Sequence, residues 1–273
     1  MKLSGSRLKE FVSLLTVKGR RERNAFLVSG VRVIEEAIKA NWPIQYLVVS
    51  RSELTSTGEE FLRRVDGKEI FELAARDLRR FDSSRSSQGI VAVLSGPVKN
   101  DTPAKVNSEL ILALDAMADP SNLGAILRSA HAFGFRDVIL SSGSVELYSP
   151  KVVRASAGSI FHLDIHADAE LADLLTELKA SGRRVVGTSS ESDVSDSMPE
   201  GSGPVCLVIG NEAHGISAGV ISLCDKVIRI PIGDGCESLS APVAAGIAMY
   251  EISQAFQSAK QTKPGAGETV VRK

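Results

Sequence analysis

Short apolar runs bounded by turn residues alternate along this chain with stretches whose apolar positions recur at helical spacing. That is the signature of α/β layering rather than of an all-helical or all-strand protein. In the first hundred residues the pattern predicts a helix near Leu3 to Leu15, a strand at Ala25 to Val28, a helix at Val31 to Ala40 and a strand at Tyr46 to Ser50. A helix near Glu59 to Val65, short elements between Glu69 and Phe81, and a strand at Ile90 to Leu94 follow. Turn formers and charges in Ser95-Gly-Pro-Val-Lys-Asn-Asp-Thr-Pro103 then interrupt the rhythm. Beyond them it resumes with strands at Leu110 to Leu114, Asp137 to Leu140, His162 to Ile165, Arg184 to Thr188, Val205 to Ile209 and Lys226 to Ile230. Helices are predicted at Leu123 to Phe133, Pro150 to Ala157, Leu171 to Ser181, Ile216 to Leu223 and through Val243 to Glu251.

Strands separated by helices must pair mostly in parallel, because each crossover returns the chain to the same end of the sheet. The expected organisation is a smaller α/β unit at residues 1–98, a linker at 99–108, a larger parallel-sheet unit at 109–258, and a tail at 259–273. The tail lacks apolar periodicity and is expected to be disordered. Ser189 to Pro204 reads as a surface excursion.

Two late strands run straight into polar loops that contain glycine, Leu207-Val-Ile-Gly-Asn-Glu-Ala-His-Gly-Ile-Ser217 and Ile230-Pro-Ile-Gly-Asp-Gly-Cys-Glu-Ser-Leu-Ser240. Ligands of open α/β sheets collect beyond the carboxyl ends of strands, so the two loops predict one small-molecule site. Gly210, Gly215, Gly233 and Gly235 would permit close backbone approach to a flat ligand. The first strand of the larger unit ends in a third polar run, Asp115 to Ser121. Asn122 is expected to cap the helix that follows, with Arg128 a turn and a half inside it. Neither unit opens with Gly-x-Gly-x-x-Gly, and there is no Gly-x-x-x-x-Gly-Lys-Ser/Thr, so the usual dinucleotide and nucleoside-triphosphate readings lack support.

Composition narrows the class further. The 273 residues are 43% hydrophobic, enough for real cores, yet no apolar run reaches bilayer-spanning length. The first ten residues carry no signal-peptide pattern, so a cytoplasmic protein is expected, without membrane contact. Cys206, Cys224 and Cys236 have no Cys-x-x-Cys spacing, which predicts free thiols and no metal site. Residues 1–100 hold 18 Lys and Arg against 12 Asp and Glu, while the remainder holds 14 against 21. Clusters such as Lys18-Gly-Arg-Arg-Glu-Arg23 and Arg76-Asp-Leu-Arg-Arg80 could meet phosphates, and an ordinary solvated helix face explains them as well.

Three ordered segments carry a resemblance. Asp119-Pro-Ser-Asn-Leu-Gly-Ala-Ile-Leu-Arg-Ser-Ala-His-Ala-Phe-Gly134, Val208-Ile-Gly-Asn-Glu-Ala-His-Gly-Ile216, and Ile230-Pro-Ile with Glu237-Ser-Leu-Ser240 and Val243-Ala-Ala-Gly246 resemble the motifs of SpoU-type RNA 2′-O-ribose methyltransferases, in the SPOUT superfamily. Phe26 to Ala37 and Ser87 to Ala92 are similar to the substrate-binding domain preceding the catalytic domain in many ribosomal-RNA members. The resemblance implies a parallel α/β sheet with a C-terminal trefoil knot, bound S-adenosylmethionine, an RNA substrate and a homodimer formed through the C-terminal domain. By matching positions it implies that Thr188, Gly210, Ile230, Leu239 and Ser240 contact the cofactor, and that Asn122, Arg128, Glu212 and Ser238 form the catalytic set. Arg128 would activate the ribose hydroxyl or, because a guanidinium normally stays protonated, hold phosphate and stabilise developing alkoxide charge. Arg154 is implied as a contact to RNA.

Other roles are open to several of these residues. Glu212 could merely favour a helix N-terminus, and Ser238 and Ser240 could cap the last helix. His131 and His214 lie beside the family's motif positions, with His162 and His166 on a predicted strand, and all four are expected to be non-catalytic. One departure stands out: where the family usually has Asn-Val-Ser, this chain has Ser240-Ala-Pro242, and a serine cannot reproduce an amide's paired donor and acceptor. The implied function is 2′-O-methylation of ribosomal RNA. A degenerate, non-catalytic RNA-binding or ribosome-assembly protein and a transfer-RNA methyltransferase are the alternatives.

Overall fold

Two sheets carry the chain in the computed structural model, which describes residues 1–81, 88–96, 106–189 and 203–261. The front sheet contains β1 (Ala25–Ser29), β2 (Ile44–Val49), β3 (Ile70–Glu72) and β4 (Ile90–Ser95), in the order β1-β4-β2-β3. Here the expectation of parallel pairing needs correcting. β2 and β3 pair in parallel, but β4 runs antiparallel to both β1 and β2. Full helical crossovers, α3 (Val31–Lys39) and α4 (Ser56–Arg64), keep β1, β2 and β3 in one direction. Among the described residues before β4 stands the single helical turn α5 (Ala75–Leu78), too short to return the chain to the starting end, and β4 inserts reversed.

The rear sheet is wholly parallel: β5 (Leu110–Leu114), β6 (Asp137–Ser141), β7 (Asp164–Ala169), β8 (Arg184–Thr188), β9 (Val205–Ile209) and β10 (Lys226–Ile228), in the order β10-β8-β9-β5-β6-β7. Every residue of β5, β6 and β9 is buried, because both faces of the sheet are covered. Leu112, Leu140 and Leu207 pack with α6 (Pro120–Phe133), α7 (Pro150–Ala155) and α10 (Ala241–Gln261). Ile111, Ile139 and Val208 pack with α8 (Leu171–Ala180) and α9 (Ala218–Ile221) on the other face. All six strand carboxyl ends therefore lie along one edge.

Several predicted boundaries shift for local reasons. The helix expected over Leu3 to Leu15 ends early as α1 (Gly5–Ser13), and Thr16 then caps a second helix, α2 (Val17–Arg23), by accepting from the Gly19 N–H. His162 sits in a 3-10 turn at Ser159–His162 rather than on a strand. β10 stops at Ile228, so Ile230 lies beyond it. α10 continues to Gln261, which makes residues 259–261 helical rather than part of a tail. Residues 99–105 of the expected linker, 190–202 of the excursion and 262–273 of the tail lie outside the described residues.

The end of the linker region is tied down. Asn107 and Ser108 donate their backbone N–H groups to Asp137 Oδ2 at 3.2 and 2.8 Å, and His166 Nε2 lies 2.9 Å from Asp137 Oδ1. Burial of Asp137 would raise its pKa, but the His166 and Ser108 bonds outweigh that and hold it at about 2. A carboxylate depressed in the folded state stabilises above its unfolded pKa, and that contribution is lost as pH falls toward about 2. Unfolding by denaturant should therefore weaken by on the order of 2 kcal/mol between roughly pH 5 and pH 2. An Asp137→Asn variant should be weaker at neutral pH and show a flatter acid limb; an unchanged limb would remove Asp137 from the account.

The expected basic clusters are largely neutralised by neighbours. Arg20 is buried against Glu146 at 2.6 Å, Arg23 pairs with Glu10 at 3.3 Å, Lys18 with Glu22 at 3.7 Å, and Arg21 with Asp168 at 4.0 Å. Arg79 pairs with Glu53 and Arg76 with Asp77. The front sheet packs on the rear one through a continuous apolar core, with the Phe26 ring 4.6 Å from Tyr148 and Trp42 Nε1 donating to the Phe161 carbonyl at 3.3 Å.

Candidate functional site

The neighbouring strands β5 and β9 deliver two of the polar loops side by side. Asp119, not Asn122, is the N-cap of α6: its Oδ1 accepts from the Ser121 and Asn122 N–H groups at 2.6 and 3.0 Å, with Pro120 in the first helical position. An acid followed by proline is a helix-start signal already legible in the sequence. Those two N–H bonds hold the Asp119 carboxyl below its usual pKa. Asn122, relieved of capping, donates Nδ2 to Glu212 Oε1 at 2.9 Å.

Glu212 joins the loops. Besides the Asn122 amide it accepts from the Ala118 N–H at 3.3 Å and the Asp119 N–H at 3.2 Å. Partial burial would raise its pKa, but these bonds and its own N–H outweigh that and keep it lowered, so Glu212 is an ionised acceptor at neutral pH. Its partners are the backbone of the β5–α6 loop, a more specific role than a charge placed at a helix end.

Two further residues missed in the sequence complete the scaffold. Asn211 donates Nδ2 to the Ala116 carbonyl at 2.6 Å, while its Oδ1 accepts from the Ala213 and His214 N–H groups. Asp115 accepts from the Ser217 N–H at 2.8 Å. Short Asx and carboxylate contacts of this kind pair residues about 90–100 positions apart, which no local pattern reveals.

Gly210 lacks a side chain for a reason within the loop itself. A Cβ there would meet Gly215 C at 2.1 Å and Ile216 N at 2.2 Å, so the missing side chain makes room for the loop's own return. Gly215, Gly233 and Gly235 face open space instead. Gly124 is likewise structural: its bare Cα lets α7 approach, since a Cβ would lie 2.4 Å from that of Ala155.

The last loop reaches the same place by a longer route. Gly246 of α10 lies beside Ser129 of α6, and Tyr250 packs edge-on to Phe133 at 5.8 Å. Two contacts with the same offset show that α10 and α6 run in the same direction, so the residues before α10 lie toward the start of α6. The Ser240 carbonyl accepts from the Val243 and Ala244 N–H groups at 3.0 Å each, and no side-chain capping bond forms from Ser238 or Ser240 among the described residues. Ile230 to Leu239 is nearly all exposed, and among the described residues its backbone makes one turn bond, Cys236 N–H to the Gly233 carbonyl at 3.4 Å, and accepts one more at the Ser238 carbonyl from the Cys236 thiol at 3.5 Å. A stretch of open, sparsely paired backbone beside a glycine turn suits a planar ligand read through N–H and C=O groups. Thr188 ends β8 close by, its hydroxyl 3.4 Å from the Val208 carbonyl.

Arg128 stands on the exposed side of α6, whose other side buries Leu123, Ile126, Leu127 and Ala130. No described residue pairs with it. Arg154 is elsewhere: it lies on α7, beside a shallow cleft at the seam of the two sheets lined by Leu27, Ser29, Phe81 and Val91. Three of the four histidines take structural partners, His162 with Glu36 at 3.0 Å, His166 with Asp137, and His131 stacked on His162 at 4.8 Å, while His214 is exposed.

Against known proteins, residues 109–250 match the SpoU rRNA Methylase family and residues 6–92 an MRM3-like substrate binding domain. The chain belongs to the SpoU rRNA methylase family. It is 30% identical, over 95% of its length and 93% of the relative's, to the 23S rRNA (uridine(2479)-2′-O)-methyltransferase of Streptomyces viridochromogenes. To the 23S rRNA (guanosine(2553)-2′-O)-methyltransferase RlmP of Bacillus subtilis it is 28% identical, over 90% and 95% of the two chains. Among solved structures it superposes on the SpoU methyltransferase AviRb of S. viridochromogenes, in complex with AdoMet, with a TM-score of 0.82, 30% identity and coverage of 93% and 99%. An AdoMet-bound rRNA methyltransferase from Sinorhizobium meliloti gives 0.77, at 26% identity and coverage of 93% and 96%. Similarity extends through both sheets, so the front sheet belongs to the shared architecture.

Proposed function

We infer that this chain is an S-adenosylmethionine-dependent RNA 2′-O-ribose methyltransferase acting on ribosomal RNA. The observation that carries the reading is the Asn122–Glu212 bond, which draws the β5 and β9 loops into one site at the carboxyl edge of the rear sheet. Relatives named for ribose methylation of 23S rRNA, and similar structures solved with AdoMet, support it. Thr188, Gly210, Ile230, Leu239 and Ser240 would hold the cofactor, which supplies an electrophilic methyl group when bound. The protein's share is positioning and electrostatics. Glu212 fixes the Asn122 amide by its NH2, leaving Oδ1 as an acceptor for the ribose hydroxyl, and Arg128 presents N–H donors to the oxygen as negative charge develops.

Relatives named as rRNA 2′-O-methyltransferases favour retained activity over the degenerate reading. The front sheet would seat the RNA, with Arg154 and the nearby exposed Lys151 meeting its backbone. A C-terminal knot belongs to this reading through the family resemblance alone; the strand order shows only that residues 229–240 pass from the sheet edge at β10 to the side where α10 packs on α6. Homodimerisation is supported by Val243, Ile247 and Tyr250, a stripe on α10 that is 48%, 36% and 48% exposed.

Purified protein given ribosomal RNA and methyl-labelled cofactor should transfer label to an alkali-resistant dinucleotide, the mark of a blocked 2′-oxygen. Sedimentation should give a mass of twice 29.0 kDa. Cofactor binding without transfer, or label on a base, would refute the activity, and a monomeric mass would refute the dimer.

A further inference from the structure

One deeply buried charge where the front and rear units meet is left unused by the proposed chemistry. Arg20 of α2 has a side chain only 5% exposed, and it spends three donors: Nε and Nη2 to Glu146 Oε2 at 3.0 and 2.6 Å, and Nη1 to the Leu14 carbonyl at 2.8 Å. Its placement is built in. A Cβ on the preceding Gly19 would lie 2.0 Å from the Ser13 carbonyl oxygen, so only glycine lets α2 fold back on α1 and aim Arg20 at the rear unit. A surface ion pair would contribute little, but this buried guanidinium, held by two bonds to one carboxylate oxygen and a third to a backbone carbonyl, is fixed in geometry.

Glu146 sits in the β6–α7 loop, one residue from a direct link to the site. The Val145 N–H donates to the Met117 carbonyl at 2.7 Å, and Met117 is fully buried in the β5–α6 loop. The next two residues, Ala118 and Asp119, donate their N–H groups to Glu212, which holds Asn122. On the other side of Glu146, Leu147 is buried and the Tyr148 ring lies against Phe26 of β1. A continuous run of short contacts thus joins α2 of the front unit to the loop pair that forms the site.

We propose that the Arg20–Glu146 pair is a positioning pair, holding the front sheet at a fixed offset from the Asn122–Glu212 loops. It thereby sets which ribose of an RNA seated on the front sheet reaches Arg128. The proposal rests on the methyltransferase reading for its consequence, though not for the coupling itself. Neither residue touches substrate; both act through the Val145–Met117 bond.

The test compares Arg20→Met, Glu146→Gln and the double variant Arg20→Met/Glu146→Gln in the full-length protein. The double variant carries neither charge, so no unpaired ion is left buried and the fold regains what Arg20→Met loses. Expected in the Arg20→Met and double variants are about tenfold faster amide exchange at Val145, Ala118 and Asp119. The kcat should fall about a hundredfold, RNA affinity should stay within about twofold, and the methylated position should spread to neighbouring nucleotides. Glu146→Gln keeps an acceptor for Arg20 and should show the same changes to a smaller degree, which secures the measurement if Arg20→Met does not fold. Unaltered exchange in the folded variants, or kcat restored in the double variant, would reduce the pair to a stabilising contact and overturn the proposal. Should the unaltered protein not methylate RNA, the methyltransferase reading falls, and exchange still decides the coupling.

Discussion

Arg128→Ala should lower the rate of methyl transfer about a hundred- to a thousandfold while leaving the fold and cofactor affinity in place. The expectation rests on a contrast along α6. Leu123, Ile126, Leu127 and Ala130 are fully buried and hold the helix to the sheet, whereas Arg128 is exposed and meets no partner among the described residues. Removing such a side chain changes stability by about 0.5 kcal/mol or less. Its value must then lie in what it meets when RNA is bound. A guanidinium is a poor proton acceptor but a strong donor to an oxygen gaining negative charge. Arg128→Lys keeps the charge and loses the planar fork, so partial activity is expected, between the wild type and the alanine variant. Single-turnover label transfer, with calorimetric cofactor binding as the control, measures both variants. Undiminished transfer by Arg128→Ala would remove it from the mechanism.

Gly210→Ala should do the opposite, damaging the framework first. Its Cβ would fall 2.1 Å from Gly215 C and 2.5 Å from the Gly215 carbonyl oxygen, and both obstacles are backbone. That backbone is closed on itself by reciprocal bonds between Asn211 and Gly215 at 2.9 Å each, so it cannot move aside without breaking the turn that carries Glu212. A loss of about 3 kcal/mol in thermal or denaturant unfolding is expected, with cofactor binding lost as the loop opens. Gly233→Ala is the matched control. Nothing lies within 4 Å of its added Cβ, and the fold should be unaffected whatever happens to the ligand. Equal stability of the Gly210→Ala variant and the wild type would show that the loop has slack the geometry does not suggest.

Sequence alone determined the elements. Periodicity and turn chemistry placed every strand of the rear sheet and most helices to within a few residues. It also marked the polar runs at their carboxyl ends, because hydrophobic period, glycine and proline act over a handful of neighbouring positions. Asn122 and Glu212 stand in the polar runs that the sequence marked, though the capping duty given to Asn122 belongs to Asp119 three positions earlier. Tertiary structure decided what those residues contact. The reversed direction of β4, the engagement of Asn122 with Glu212 across 90 residues, and the burial of Arg20 against Glu146 across 126 depend on which segments become neighbours after folding. Charge in the front unit was visible as composition, yet whether a cation faces solvent or a carboxylate is settled only by packing. The same holds for Gly210, whose missing side chain reads as room for a ligand until the returning backbone is seen to fill it.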